Sequence, residues 1–266
     1  MDTMDLGLRG KAALVAAASQ GLGKAIAWEL AREGARVAMC SRDEGRIRAA
    51  AEAIREDTGA EVLPFVCDLT QEDEVSAFVA GAVEALGSVE ILVTNAGGPP
   101  PGAFEEVDDD AWYRAYDLTY LSAVRLIREA LPHMKETGYG RIVVMTSISV
   151  KQPIQDLILS NATRLGVVGM AKSLVPDAGR YDITVNVVCP GYIGTARTKE
   201  LFAARAKRDG SSPESVEEDL LRIVPLGRMG EPREVGALVA FLSSERASYL
   251  TGNLIQIDGG LYRGVF

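Results

Sequence analysis

Short apolar runs alternate with stretches of helical periodicity from residue 12 to residue 257, and this rhythm constrains the fold more than any single motif. Residues 12–17, 36–40, 61–67, 91–94, 141–145, 184–188 and 254–257 read as strands. Residues 22–33, 43–58, 71–86, 110–135, 157–180 and 232–243 read as helices between them. A strand that returns parallel to its predecessor needs a crossover, and a right-handed helical crossover is the favoured one. The strands are continuous apolar runs rather than alternating ones, as a sheet covered on both faces requires. Gly34, Gly59 and Gly87 follow three of the helices, where a left-handed cap commonly ends a helix. The expected architecture is α/β, a doubly wound parallel sheet in one domain spanning residues 1–266. Residues 192–230 break the rhythm with irregular, charged helical stretches around a Gly210-Ser211-Ser212-Pro213 turn. That segment is expected to be an insertion that covers a substrate, as long insertions commonly do.

The first strand runs into Ala17-Ala18-Ser19-Gln20-Gly21-Leu22-Gly23, which opens a helix. Glycines at such a turn let a pyrophosphate approach the backbone at the helix N-terminus. Ala17, Ser19, Gln20, Gly21, Leu22 and Gly23 are therefore candidate dinucleotide contacts on a Rossmann-type fold. Some twenty residues further on, a carboxylate would hold the ribose 2′-hydroxyl of NAD. Ser41-Arg42 stands there instead, and a guanidinium suits a 2′-phosphate. The expected cofactor is NADP(H) rather than NAD(H).

Composition excludes several alternatives. The net charge of −9 without a basic stripe argues against a nucleic-acid partner. No apolar run is long enough to span a membrane, and residues 1–10 carry acids rather than a signal-like apolar segment. The three cysteines, Cys40, Cys67 and Cys189, sit in apolar runs and read as buried free thiols of a cytoplasmic protein. The single histidine, His133, reads as a helix-end residue, and no metal site is expected.

Nearly the whole chain resembles the short-chain dehydrogenase/reductases. The glycine loop resembles the family's T-G-x-x-x-G-x-G, with Gly21 and Gly23 in place and Ala17 where the first glycine stands. The Cβ of Ala17 is expected to crowd that turn. Cys67-Asp68-Leu69 resembles the adenine-contacting segment, and Thr94-Asn95-Ala96-Gly97 the turn beside the cofactor ribose. Asn186 with Pro190-Gly191-Tyr192-Ile193-Gly194-Thr195 resembles the segment that positions nicotinamide. The resemblance thus adds Asp68, Leu69, Asn95, Ala96, Gly97, Pro190, Gly191, Ile193 and Thr195 to the candidate cofactor contacts.

The catalytic positions depart from the pattern. The family uses Asn, Ser, Tyr and Lys. Gly140 to Ser147 matches the strand that ends in the catalytic Ser, so Ser147 keeps its place. Gly169-Met170-Ala171-Lys172 fixes the register of the following helix, and the Y-x-x-x-K positions fall on Ser160 and Arg164. The Asn position falls on Asp117. Serine is a far weaker acid than a phenol, and Arg does not relay a proton as Lys does. Arg164 can still hold the cofactor ribose or polarise a carbonyl oxygen. Asp117 is expected to pair with Arg164, which would balance the two charges.

The resemblance implies an oxidoreductase that reduces a small-molecule carbonyl, a 3-oxoacyl thioester or another ketone, to an alcohol. The alternatives are a dinucleotide-binding sensor or partner subunit without turnover, and different chemistry on a retained scaffold. It also implies a homo-oligomer, dimer or tetramer, through the helices at 110–135 and 157–180.

Overall fold

The structure is a computed structural model that describes residues 5–265, so part of the reading of residues 1–10 lies outside the described residues. Its strands are β1 (Ala12–Val15), β2 (Arg36–Ser41), β3 (Val62–Val66), β4 (Ile91–Thr94), β5 (Gly140–Met145), β6 (Ile183–Pro190) and β7 (Leu254–Ile257). They form one sheet in the order β3-β2-β1-β4-β5-β6-β7, with every neighbouring pair parallel.

The continuous apolar runs now have a physical cause. Successive side chains of a strand point to opposite faces. Ala12, Leu14 and Ala16 pack into one core with Phe78, Leu126 and Val167. Ala13 and Val15 pack into the other with Ile26, Leu30, Ile47 and Val239. Both faces of β1 are therefore dry. Leu14 is fully buried, and Leu14→Ala is expected to cost about 2–5 kcal/mol.

The helices α1 (Gly21–Arg32), α2 (Glu44–Thr58) and α9 (Pro232–Leu242) cover one face. The helices α3 (Glu72–Leu86), α5 (Ser122–Thr137) and α6 (Ile158–Ala178) cover the other. Gly59 and Gly87 take the left-handed backbone (φ +68° and +78°) that ends α2 and α3.

Two readings need correction. The single helix expected at 110–135 is broken into α4 (Asp109–Tyr116), a π-helical turn over Asp117–Leu121, and α5. Hydroxyls there compete for backbone acceptors: Thr119 Oγ1 donates to the Ala115 carbonyl at 2.7 Å and Ser122 Oγ to the Leu118 carbonyl at 2.6 Å. Such back-bonding bends helices, and π turns are frequent at functional sites. The strand expected at 184–188 is longer, running from Ile183 to Pro190, paired with β5 as far as Val188 and with β7 as far as Pro190.

The segment 192–230 folds as α7 (Ala196–Asp209) and α8 (Pro213–Ile223) around a small core of Phe202, Ala206, Val216 and Leu220. Its two ends are tied together, Gly194 N donating to the Gly230 carbonyl at 2.9 Å and Gly230 N to the Tyr192 carbonyl at 2.9 Å.

The winding reverses between β1 and β4. From β1 the chain builds outward through β2 and β3, then returns to β4 on the other side. The connections leaving the carboxyl ends of β1 and β4 diverge there and open a crevice, the usual ligand position of such sheets.

Candidate active site

A cleft of about 870 Å³ occupies that crevice. At its base lies the glycine loop. Ala17 has φ +48°, a left-handed conformation that costs a non-glycine residue about 1–2 kcal/mol. The loop thus keeps the backbone of the missing glycine and carries the strain in Ala17 itself. Neighbours hold it there. Ala18 N donates to the Cys40 carbonyl at 2.9 Å, and Asn95 Nδ2 donates to the carbonyls of Ala16 and Ala17 at 3.3 and 3.2 Å. Gly23 has no substitute, because a Cβ there would lie 2.4 Å from the Ala17 carbonyl oxygen. The α1 N-terminus has no side-chain cap at Gln20 and no acid in its first turn. Its unpartnered N–H groups and positive dipole end face the cleft beside Ser19, Gly21 and Leu22, as an anion site requires.

Ser41 and Arg42 line the far end of the cleft. Ser41 Oγ donates to the Asp43 carbonyl at 3.1 Å. The Arg42 side chain is 73% exposed and meets Asp68 only at 3.9 Å, so it is available to a ligand. Arg46 joins this end, a residue the sequence reading passed over. Asp43 accepts from Arg46 N at 2.8 Å and pairs with its guanidinium, and these bonds hold the Asp43 carboxyl below the usual range. Asp68 Oδ1 accepts from Thr70 N and Oγ1, which fixes the turn that carries Leu69 into the cleft wall. Ala96 and Gly97 form the wall beyond Asn95, and a Cβ on Gly97 would meet nothing within 4 Å.

The opposite wall comes from the end of β6. Pro190, Gly191 and Ile193 line it, and Thr195 caps α7 by accepting from Thr198 N at 3.3 Å. The Thr195 methyl lies 3.6 Å from where a Cβ of Gly21 would stand, so this wall closes over the glycine loop.

Ser147, Ser160 and Arg164 meet at the inner end. Ser147 follows β5, and its Oγ accepts from Ser149 N at 3.1 Å. Ser160 and Arg164 stand one turn apart on α6, where side chains four residues apart are neighbours. Arg164 Nε donates to Ser160 Oγ at 3.0 Å, and Nη1 to the Thr146 carbonyl at 3.3 Å. No described residue partners Nη2, and no described carboxylate lies within ion-pair distance of Arg164. Burial, and after it the positive charge of Arg197, lowers the Arg164 pKa to about 10. At neutral pH the guanidinium remains a cation, held in the cleft floor without a counter-charge.

The expected Asp117–Arg164 pair does not form. Asp117 Oδ1 instead accepts from Arg125 Nη1 at 2.6 Å, and Arg125 also donates to the Thr70 carbonyl at 3.0 Å. Asp117 opens the π turn and Arg125 follows it on α5, on one continuous helical path. Asp117 thus ties that path to the loop after β3 rather than joining the inner end of the cleft.

Sequence reasoning also missed Arg197. Its guanidinium lies over Gly98 and donates to the Pro99 carbonyl at 2.6 Å. The signal was available in principle, since Arg197 follows the Thr195 segment by two residues, but nothing in the spacing told which way it would point. His133 lies on α5, away from the cleft, and the three cysteines are buried thiols.

A doubly wound sheet with an uncapped helix N-terminus at its switch point defines a dinucleotide-binding class of protein. Comparisons with known proteins then assign the family. Residues 16–262 match the family model described as enoyl-(acyl carrier protein) reductase. The chain is 36% identical over 251 residues to the granaticin polyketide synthase putative ketoacyl reductase 1 of Streptomyces violaceoruber, covering 94% of this chain and 92% of that one. The L-sorbose reductase of Gluconobacter frateurii, solved with NADPH and L-sorbose, superposes with a TM-score of 0.93 at 31% identity, over 98% of this chain and 100% of that one. An NADPH-bound short chain oxidoreductase of Pseudomonas aeruginosa, described as containing an atypical catalytic center, superposes with a TM-score of 0.87 at 31% identity, over 97% and 99%. The chain belongs to the short-chain dehydrogenase/reductase family.

Proposed function

We propose that the protein is an NADP(H)-dependent carbonyl reductase in which Arg164 replaces the family's phenol as the group that stabilises the developing alkoxide. One observation carries this reading: a protonated guanidinium without a counter-ion, fixed by Ser160 and the Thr146 carbonyl beside Ser147. A cation held there gains an interaction as negative charge grows on a carbonyl oxygen, and an unpaired Nη2 is the donor for it.

The cradle fits the cofactor. The α1 N-terminus would receive the pyrophosphate, Arg42 and Arg46 the 2′-phosphate, and the open wall at Gly97 the ribose. Bound NADPH supplies the hydride. The protein's own part is positioning and polarisation. Ser147 and Arg164 hold the carbonyl oxygen. Ser160 accepts from Arg164 Nε, which leaves its own O–H free to pass on a proton drawn from water. Asp117, engaged by Arg125, takes no part in that relay. The NADPH in the L-sorbose reductase and Pseudomonas aeruginosa structures supports the cofactor, and the latter, a short chain oxidoreductase described as containing an atypical catalytic center, is consistent with a departure from the usual set.

The test is NADPH oxidation against a panel of ketones and 3-oxoacyl thioesters, with Arg164→Ala beside the wild type. Turnover that the substitution cuts by about a hundredfold or more is expected. A second reading, a dinucleotide-binding sensor without turnover, draws on the absence of any Tyr from the described cleft wall. Tight NADPH binding with no turnover of any carbonyl compound would favour it.

The exposed side chains of Tyr113, Tyr116 and Leu165 on α4 and α6 support a homo-oligomer, which light scattering in solution would test.

A further inference from the structure

The inner end of the cleft holds more positive charge than the cofactor accounts for. Arg164 has no carboxylate partner among the described residues. Arg197, in the first turn of α7, reaches across to Gly98, where a Cβ would lie 3.1 Å from both Nε and Nη2. The missing side chain of Gly98 is what lets the guanidinium lie against the wall. Nη2 is anchored on the Pro99 carbonyl at 2.6 Å. Among the described residues the only acid within ion-pair distance is Glu200, at 3.6 Å from Nη1, and its side chain is 66% exposed. A pair that long and that exposed contributes little and yields readily to a better anion.

Two cations facing one cleft repel each other, and burial first, with that repulsion after it, lowers the basicity of Arg164. The first turn of α7 carries no acid, so its dipole adds to the positive field. The phosphates of a dinucleotide have their own positions, at the α1 N-terminus and at Arg42. Arg164 lies away from both, with Ser147 and Ser160, and Leu157 and Leu201 supply the apolar remainder of this end.

Resting on the reductase reading, we propose that the ketone reduced here carries a carboxylate close to its carbonyl, with Arg197 receiving the carboxylate while Arg164 holds the carbonyl oxygen. The electron balance is that of any ketone reduction. Bound NADPH would supply the hydride for the carbonyl carbon and become NADP⁺, one proton would be consumed from solution at the oxygen, and the carboxylate would be unchanged. A forked guanidinium bonds a carboxylate through two parallel N–H groups, which gives orientation as well as affinity.

Kinetics with 2-oxo and 3-oxo acids and their methyl esters, at saturating NADPH, test this. The acids should exceed their esters in kcat/KM by about tenfold or more. Arg197→Met should cut that acid-to-ester ratio by about tenfold to a hundredfold, and Arg197→Lys should restore part of it. Arg197 is partly exposed, and a thermal melt of each variant verifies folding. Calorimetry of the matching hydroxy acid with the NADPH-loaded protein, a pair with no hydride acceptor, gives a readout free of turnover, and binding lost in Arg197→Met is the expected result. Esters reduced as well as acids would overturn the inference and leave the reductase reading standing. Arg197→Met that weakens NADPH binding about tenfold but leaves the ratio intact would also overturn it, by assigning Arg197 to the cofactor. If no ketone of any kind is turned over, the reductase reading falls, and hydroxy-acid binding then decides the anion site alone.

Discussion

Replacing Arg164 by Met should make the protein more stable and less active at once. The cation is held in the folded state at a pKa of about 10, well below the ordinary guanidinium value, which disfavours the charged form by about 3 kcal/mol. Part of the group faces the cleft, and solvent screening reduces the usable figure to about 2 kcal/mol. Met is unbranched and fills similar space. It leaves Ser160 Oγ and the Thr146 carbonyl without their donor, which costs about 1 kcal/mol where water in the cleft can replace it. The net expectation at pH 7 is a gain of about 1 kcal/mol, or roughly 2–4 °C in Tm, for the cofactor-free protein. The sign with pH follows from the lowered pKa. The cost of holding the cation is fully present below pH 10 and fades as pH rises above about 10 towards the free guanidinium range. The stability gap between variant and wild type should therefore narrow above about pH 10. Activity moves the other way, with kcat falling about a hundredfold to a thousandfold when the alkoxide loses its donor. Urea denaturation across pH and NADPH oxidation on the best ketone measure both. A variant clearly less stable than wild type, or one within threefold of its kcat, would refute the account of Arg164 as a strained catalytic cation.

Further expectations concern the cofactor end and the corrected pair. Arg42→Ala should weaken NADPH binding about tenfold while leaving NADH binding nearly unchanged, read by fluorescence titration. Ala17→Gly should relieve the φ of +48°, and after the flexibility that glycine adds to the unfolded chain the gain should be about 0.5–1 kcal/mol in a urea midpoint. Asp117→Asn removes the carboxylate from Arg125 and should cost about 1–2 kcal/mol of stability. Its kcat should stay within about threefold of wild type, and a larger loss would return Asp117 to the proton relay.

The alternation of apolar runs was enough to specify the parallel sheet, because a strand dry on both faces can carry no polar alternation and a parallel return needs a crossover. The glycine spacing located the tight turn at the uncapped end of α1, because Gly23 meets the Ala17 carbonyl whatever the rest of the chain does. Ser147, Ser160 and Arg164 were also legible, since position along β5 and α6 follows from local register. The partners of charged side chains were not. Asp117 and Arg164 matched by charge, yet a widened helical turn and Arg125 decided otherwise. Arg197 is 33 residues from Arg164 in the chain, and only the fold of the 192–230 segment sets the two guanidinium groups in one cleft. Local sequence determines periodicity and backbone conformation. Which charges face each other depends on through-space distances of a few ångströms, and those exist only once the tertiary structure has formed.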